Sequence, residues 1–246
     1  MRKIFVVMAV ALLVASVASA EGKRVTAASD PWLPFTDPDN PTQGISLEIV
    51  RAALGTQGYE VDMEFMPWAR AEDKVKEGEI DILPNTWTTD KRKEYLLFSD
   101  PYATNDVKFI KRKGDPFEYD GLDSLAGKTV GIVRGYGYPE EFIKSDGFKR
   151  DEATESLTNV KKLVVGRIDL TLEDRIVLID LLKKKEPKFL EEVEFTKNAL
   201  TSQTLSVTCG LKNPRCHEII EAFNKGLAEI KANGKFDEIM KKYGLN

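Results

Sequence analysis

A chain of 246 residues, 42% of them hydrophobic, is long enough for one large or two small packed domains and too apolar to remain disordered. Its formal net charge of −4 argues against nucleic acid or an anionic membrane surface as a partner, since both need a basic face. A single His leaves His-dependent triads and His-ligated metal sites without support.

Residues 1–20 read as a secretory leader: Arg2 and Lys3 precede an apolar run from Ile4 to Val17 and an A-x-A site at Ala18 to Ala20. The run is shorter than the ~20 residues of a membrane span, and no Cys stands at the cleavage site to accept a lipid. The expected product is a periplasmic chain without a lipid anchor. Losing Arg2 and Lys3 with the leader brings its charge to −6, from 34 basic and 40 acidic residues.

Arg24 to Ala28 predicts a first strand, followed by a Pro- and Asp-rich loop that ends at Gly44. Ile45, Leu47, Ile49, Val50, Ala53 and Leu54 recur at helical spacing, with Gly58 as a stop. Tyr59 to Phe65 alternates apolar and polar residues as a half-buried strand does. Pro67-Trp68 breaks it, Ala69 to Lys76 predicts a short helix, and Ile80 to Leu83 a strand broken at Pro84 and Asn85. This alternation of strands and helices implies parallel pairing with crossover helices.

A second α/β series begins after an extended piece at Val107 to Lys111. Thr129 to Val133 reads as a buried strand, Arg134 to Tyr138 as a Gly-bearing turn, and Pro139 to Lys144 as a helix start. An amphipathic stretch from Glu155 to Val165 precedes the strand Ile168 to Leu172 and the helix Arg175 to Lys184. Val193 to Phe195 and Leu205 to Cys209 are two further strands, and helices over Cys216 to Lys231 and Lys235 to Tyr243 close the chain. Two such series predict an α/β fold of two lobes with a ligand cleft between them.

Candidate site residues gather at predicted strand ends, where open α/β sheets bind small ligands. Trp32, Trp68 and Trp87 lie in or beside such loops; each is a pocket wall or a core plug. Arg92 follows Thr89 by three residues, and an Arg fork with a Thr hydroxyl suits a carboxylate; the alternative is a solvated surface Arg. Asp174 either meets a ligand ammonium or caps the helix after it. Tyr136, beside Gly137, sits in a turn at a helix start, where backbone N–H groups favour an anion. No phosphate-loop or dinucleotide pattern occurs, and no cofactor or metal is expected. Cys209 and Cys216, close in sequence in an oxidising compartment, predict a disulfide.

In order along the chain stand W-x-P-F at Trp32 to Phe35, Pro67-Trp68, G-x-I-D at Gly78 to Asp81 and T-x-x-R at Thr89 to Arg92. F-S-D-P-Y at Phe98 to Tyr102, V-G-I-V-x-G at Val130 to Gly135 and G-R-I-D at Gly166 to Asp169 follow. The ordered set resembles the family 3 extracellular solute-binding proteins, the amino acid receptors of ABC importers. The resemblance implies a type II periplasmic-binding-protein fold, each lobe a mostly parallel sheet flanked by helices. It places one lobe at 24–104 and 203–246, the other at 105–202, with two hinge strands joining them.

It further implies that Arg92 grips a ligand carboxylate, that Asp174 holds its ammonium, and that Trp32 and Trp68 line the side-chain pocket. The implied partners are a small amino acid-like ligand and the membrane subunits of an ABC permease, met by a monomer. Two positions depart from the family pattern: Trp87 replaces a small residue, and Gly135-Tyr136-Gly137 replaces a G-[ST]-[ST] turn. The same resemblance extends to secreted cyclohexadienyl dehydratases, with Glu173 or Asp174 as an acid, and to ligand sensors without transport.

Overall fold

The structure, a computed structural model, describes residues 23–245, so the expected leader lies outside the described residues. The first half is built as its apolar spacing requires. Strand β1 (Lys23–Ser29) pairs in parallel with β2 (Tyr59–Phe65) through the crossover helix α1 (Ile45–Thr56). The alternation in YEVDMEF becomes alternating burial along β2. Helix α2 (Trp68–Glu77) buries Trp68, Ala71 and Val75 on one face and ends at Gly78, whose φ of 80° is the left-handed conformation a C-cap glycine supplies.

Strand β3 (Ile82–Trp87) does not stop at Pro84 as expected but runs on to Trp87, wholly buried. Pro84 lacks a donor, and it is accommodated because the pairing of β3 with its antiparallel neighbour shifts register between Leu83 and Thr86. The short helix α3 (Asp90–Lys93) and strand β4 (Leu96–Phe98) follow.

The largest departure from the expected elements is the strand β9 (Val193–Gly210). The two predicted strands Val193 to Phe195 and Leu205 to Cys209 are the ends of one 18-residue strand. Its middle, KNALTSQT, lacks an apolar run and so hides in the sequence. β9 pairs antiparallel with β5 (Ala103–Arg112), with irregular register near Val107 and Lys108. Together they carry the sheet from one half to the other.

The second half contains β6 (Thr129–Val133), α4 (Glu140–Lys144), β7 (Lys149–Ala153), α5 (Ser156–Val164), β8 (Leu170–Asp174) and α6 (Arg175–Lys185). β7, with the sequence KRDEA, carries too little apolar pattern to be predicted and forms the sheet edge beside β6. The full order is β2-β1-β3-β9-β5-β8-β6-β7, with β4 on β9. Parallel triplets stand at both ends and the antiparallel pair β5/β9 lies between them.

The chain closes with α7 (Cys216–Ala232) and α8 (Lys235–Lys242), and α7 buries Ile219, Ile220, Phe223, Leu227 and Ile230 against the first half. Cys209 and Cys216 are both buried and are free thiols, so the expected disulfide is not formed in the structure. The neighbouring Cys216 thiol and burial push the Cys209 thiol up. Adjacency permits their oxidation without performing it.

Candidate functional site

The C-terminal ends of β1 and β3 and the start of α2 face the turn after β6. Their side chains enclose one cavity lined by Asp30, Trp32, Trp68, Asn85, Trp87, Arg92, Tyr136 and Gly137. The free cavity is about 20 Å³, enough for about one water. As it stands the cavity has no room for a metabolite.

The walls are aromatic. Trp32 stacks on Phe35 with ring centroids 4.8 Å apart and meets Trp87 edge-on at 5.5 Å. Tyr136, from the turn after β6, inserts edge-on against Trp68 at 6.2 Å and Trp87 at 5.5 Å. Its hydroxyl donates to Asp30 Oδ2 at 3.0 Å. Tyr136 thus fills the cleft with a ring from the second half. Only glycine fits next to it: a Cβ on Gly137 would lie 2.7 Å from Arg92 Nη1 and 3.0 Å from Thr89 Cγ2.

Arg92 is 3% exposed and already engaged. Its Nε and Nη2 donate to Glu72 Oε1 and Oε2, each at 3.0 Å. Nη1 donates to the Trp87 carbonyl and Nη2 also to the Gly135 carbonyl, both at 2.9 Å. The guanidinium lies over the Trp68 ring at 5.0 Å. Glu72 also accepts from Tyr95 Oη at 2.7 Å and Trp68 Nε1 at 2.7 Å. Burial pushes the Glu72 carboxyl up, but the Arg92 charge and these donors more than offset it, leaving Glu72 below its ordinary value.

Thr89 stands beneath this network as the N-cap of α3, accepting from Arg92 N at 3.2 Å. It is not among the residues lining the cavity, and neither is Asp174. Asp174 is the N-cap of α6: its Oδ1 accepts from Ile176 N at 2.8 Å and Val177 N at 3.2 Å. The cap that the sequence offered as one of two readings is thus formed.

The acids at the cleft are others. Asp30 follows β1 and lines the cavity; Glu173, one residue before Asp174, accepts from Trp32 Nε1 at 3.1 Å, from Ser156 Oγ and from Asp174 N. Burial raises both carboxyls to about 7, against partial relief from the Tyr136 hydroxyl at Asp30 and the Ser156 hydroxyl at Glu173. Among the described residues neither has a cationic partner within ion-pair distance, whereas the cleft rim carries Lys184–Asp37 and Lys185–Asp39 bridges between the two halves. Sequence reasoning missed Glu72, Asp30 and Asn85. The signal for Glu72 was its i,i+4 spacing from Trp68 on α2; Asp30 and Asn85 each sit next to a predicted strand end.

These raised carboxyls set the pH dependence of stability. Between pH ~4 and ~7 the folded chain holds protons on Asp30 and Glu173 that the unfolded chain has released, so stability falls as pH rises through that window. Each pKa unit is worth about 1.36 kcal/mol, and water reaching the carboxylates as they ionise limits the loss. Calorimetry is expected to show Tm falling by about 5 °C or more between pH 5 and pH 8, at ~2–4 °C per kcal/mol. An Asp30→Asn/Glu173→Gln variant should flatten the slope; an unchanged slope would place the titration elsewhere.

Comparison with known proteins matches residues 24–246 to the bacterial extracellular solute-binding proteins, family 3. The chain is 27% identical over 216 residues to the L-cystine-binding protein TcyJ of Escherichia coli (strain K12), spanning 87% of this chain and 78% of that protein. It is 25% identical over 231 residues to the arginine-binding extracellular protein ArtP of Bacillus subtilis (strain 168), spanning 92% and 87%. Among solved structures, an ancestral arginine-binding protein bound to arginine superposes with a TM-score of 0.77 at 22% identity, covering 90% of this chain and 98% of the other. A histidine kinase sensor domain similar to periplasmic binding proteins reaches a TM-score of 0.79 at 18% identity, covering 90% and 96%. These two likenesses establish the type of fold.

Proposed function

The chain belongs to the family 3 bacterial extracellular solute-binding proteins, and on that premise we propose that it captures a small amino acid-type solute in the cleft and delivers it to an ABC permease. The observation that carries this reading is the cavity itself. Residues from both ends of the sheet, Asp30, Trp32, Trp68, Trp87 and Arg92 on one side and Tyr136 and Gly137 on the other, converge on one cavity. A solute that touches both sides favours the closed arrangement by its differential affinity.

The halves move as lobes, 24–104 with 203–246 against 105–202, about the β5/β9 pair. The chain works as a monomer, exported to the periplasm by cleavage of residues 1–20. The relatives named for cystine and arginine support an amino acid as the solute.

The test is a thermal-shift screen over amino acids, amines and small organic acids. A ligand at 100 times its Kd should stabilise the chain by about 2.7 kcal/mol. A strain lacking the chain should then lose uptake of the labelled solute; unchanged uptake would leave binding without delivery, as in a sensor. Glu173 carries a second reading, because a buried carboxyl raised to about 7 suits a general acid. Turnover of prephenate or arogenate by the purified chain would replace the receptor reading with a dehydratase.

A further inference from the structure

The turn after β6 offers the first half a set of contacts that a small solute could make. The Gly135 carbonyl accepts from Arg92 Nη2 at 2.9 Å and from Trp68 Nε1 at 3.1 Å. The Tyr136 ring stands edge-on to Trp68 and Trp87, and its hydroxyl donates to Asp30 Oδ2 at 3.0 Å. One turn thus supplies an acceptor to the guanidinium, an apolar body to the aromatic walls and a donor to a buried carboxyl. The fit is close on both sides of the ring: a Cβ on Gly135 would lie 3.3 Å from Trp68 Cδ1, and one on Gly137 2.7 Å from Arg92 Nη1. What remains free is about 20 Å³. The receiving groups, Asp30, Trp68, Trp87 and Arg92, all belong to the first half. Arg92 is held there by the Glu72 fork and the Trp87 carbonyl, and Trp68 Nε1 by Glu72 Oε2; of their partners only the Gly135 carbonyl comes from across the cleft.

We propose that the ligand-free protein closes on its own turn: Gly135 and Tyr136 act as a built-in competitor, and a solute binds by displacing them. This rests on the solute-binding reading and adds what the solute competes with. An amino acid can win that competition, because its carboxylate brings to Arg92 Nη2 and Trp68 Nε1 a charged acceptor in place of a neutral carbonyl, and charge-assisted bonds are the stronger. A neutral solute gains nothing there, so the occupied cleft rejects weak binders. The competition shows in affinity: the apparent Kd is the intrinsic Kd divided by the fraction of molecules open to the solute. A self-closed population of about 90% weakens binding about tenfold.

All three tryptophans of the chain line this cavity, so their quenching by acrylamide reports its opening with no ligand present. The ligand-free parent is expected to resist quenching, and Tyr136→Ser to raise the quenching constant about twofold or more. X-ray scattering separates opening from mere loss of the covering ring: the radius of gyration should rise in the variant. Tyr136→Phe, which loses only the bond to Asp30, should fall between the two, and it carries the test if circular dichroism shows the Ser variant unfolded. A radius of gyration unchanged in both variants would overturn the inference. So would a Lys184→Ala/Lys185→Ala variant that opens where Tyr136→Ser does not, since closure would then belong to the rim bridges to Asp37 and Asp39. In thermal-shift titrations with each protein amino acid and L-cystine, at least one should half-saturate Tyr136→Ser at about a tenfold lower concentration than the parent. Equal half-saturation would overturn the inference and leave the receptor reading standing. No response from either protein would overturn the amino acid reading, and the ligand-free scattering would then decide the inference alone.

Discussion

A Glu72→Ala variant is expected to lose about 3–5 kcal/mol of unfolding free energy, the usual cost of removing one partner from a buried ion pair. The Arg92 side chain is 4% exposed and Glu72 13% exposed, so the guanidinium left behind stays buried without its countercharge. Tyr95 Oη and Trp68 Nε1 lose an acceptor at the same time. At ~2–4 °C per kcal/mol for a chain of this size, Tm should fall by about 10 °C. Urea denaturation checks the size. A Glu72→Leu/Arg92→Met double variant should recover much of the loss, because well-packed apolar replacements of a buried pair are often neutral. A single variant costing under ~1 kcal/mol would show that the pair is solvated in the resting protein.

Gly226→Ala is expected to be comparably damaging, and for a purely steric reason. Gly226 lies in the buried face of α7, and a Cβ there would come 1.9 Å from the Ala53 carbonyl oxygen and 2.5 Å from its carbon. Both are backbone atoms of α1, so nothing flexible yields, and the two helices must separate. In an unobstructed helix, Gly→Ala stabilises by about 0.5–1 kcal/mol. Gly55, in α1 with nothing within 4 Å of its added Cβ, supplies the contrast. Thermal melts should therefore show opposite signs: stabilisation for Gly55→Ala, and a loss of about 3 kcal/mol or more, or failure to fold, for Gly226→Ala. A neutral Gly226→Ala would mean that α1 and α7 pack less closely than this contact requires.

Legibility in the sequence followed local pattern. Strand β2 was readable to the residue because YEVDMEF carries its own period, and α1 because its apolar residues recur at helical spacing. By contrast, β9 and β7 were obscured. The middle of β9 is held by pairing with β5, and β7 by pairing with β6, so neither shows the apolar pattern of a self-evident strand. The continuation of β3 through Pro84 depended on a register shift in its partner. In the cleft, Trp32, Trp68, Trp87, Arg92, Tyr136 and Gly137 were singled out from their positions near strand ends, and the structure brings them to one cavity. Thr89 and Asp174 cap helices beside it.

By itself the sequence determined the α/β class, the two series of elements, the loops that bear aromatic and charged residues, and the family. These follow from period, punctuation and motif order, which are local properties of the chain. The tertiary structure alone decided what the charged residues do. Whether Arg92 is free or paired depends on Glu72, twenty residues earlier on another element; whether Asp30 is exposed or buried depends on Tyr136, from the opposite half of the sheet. Electrostatic roles are set by neighbours across a gap of a few ångströms. No spacing along the chain records which neighbours those are.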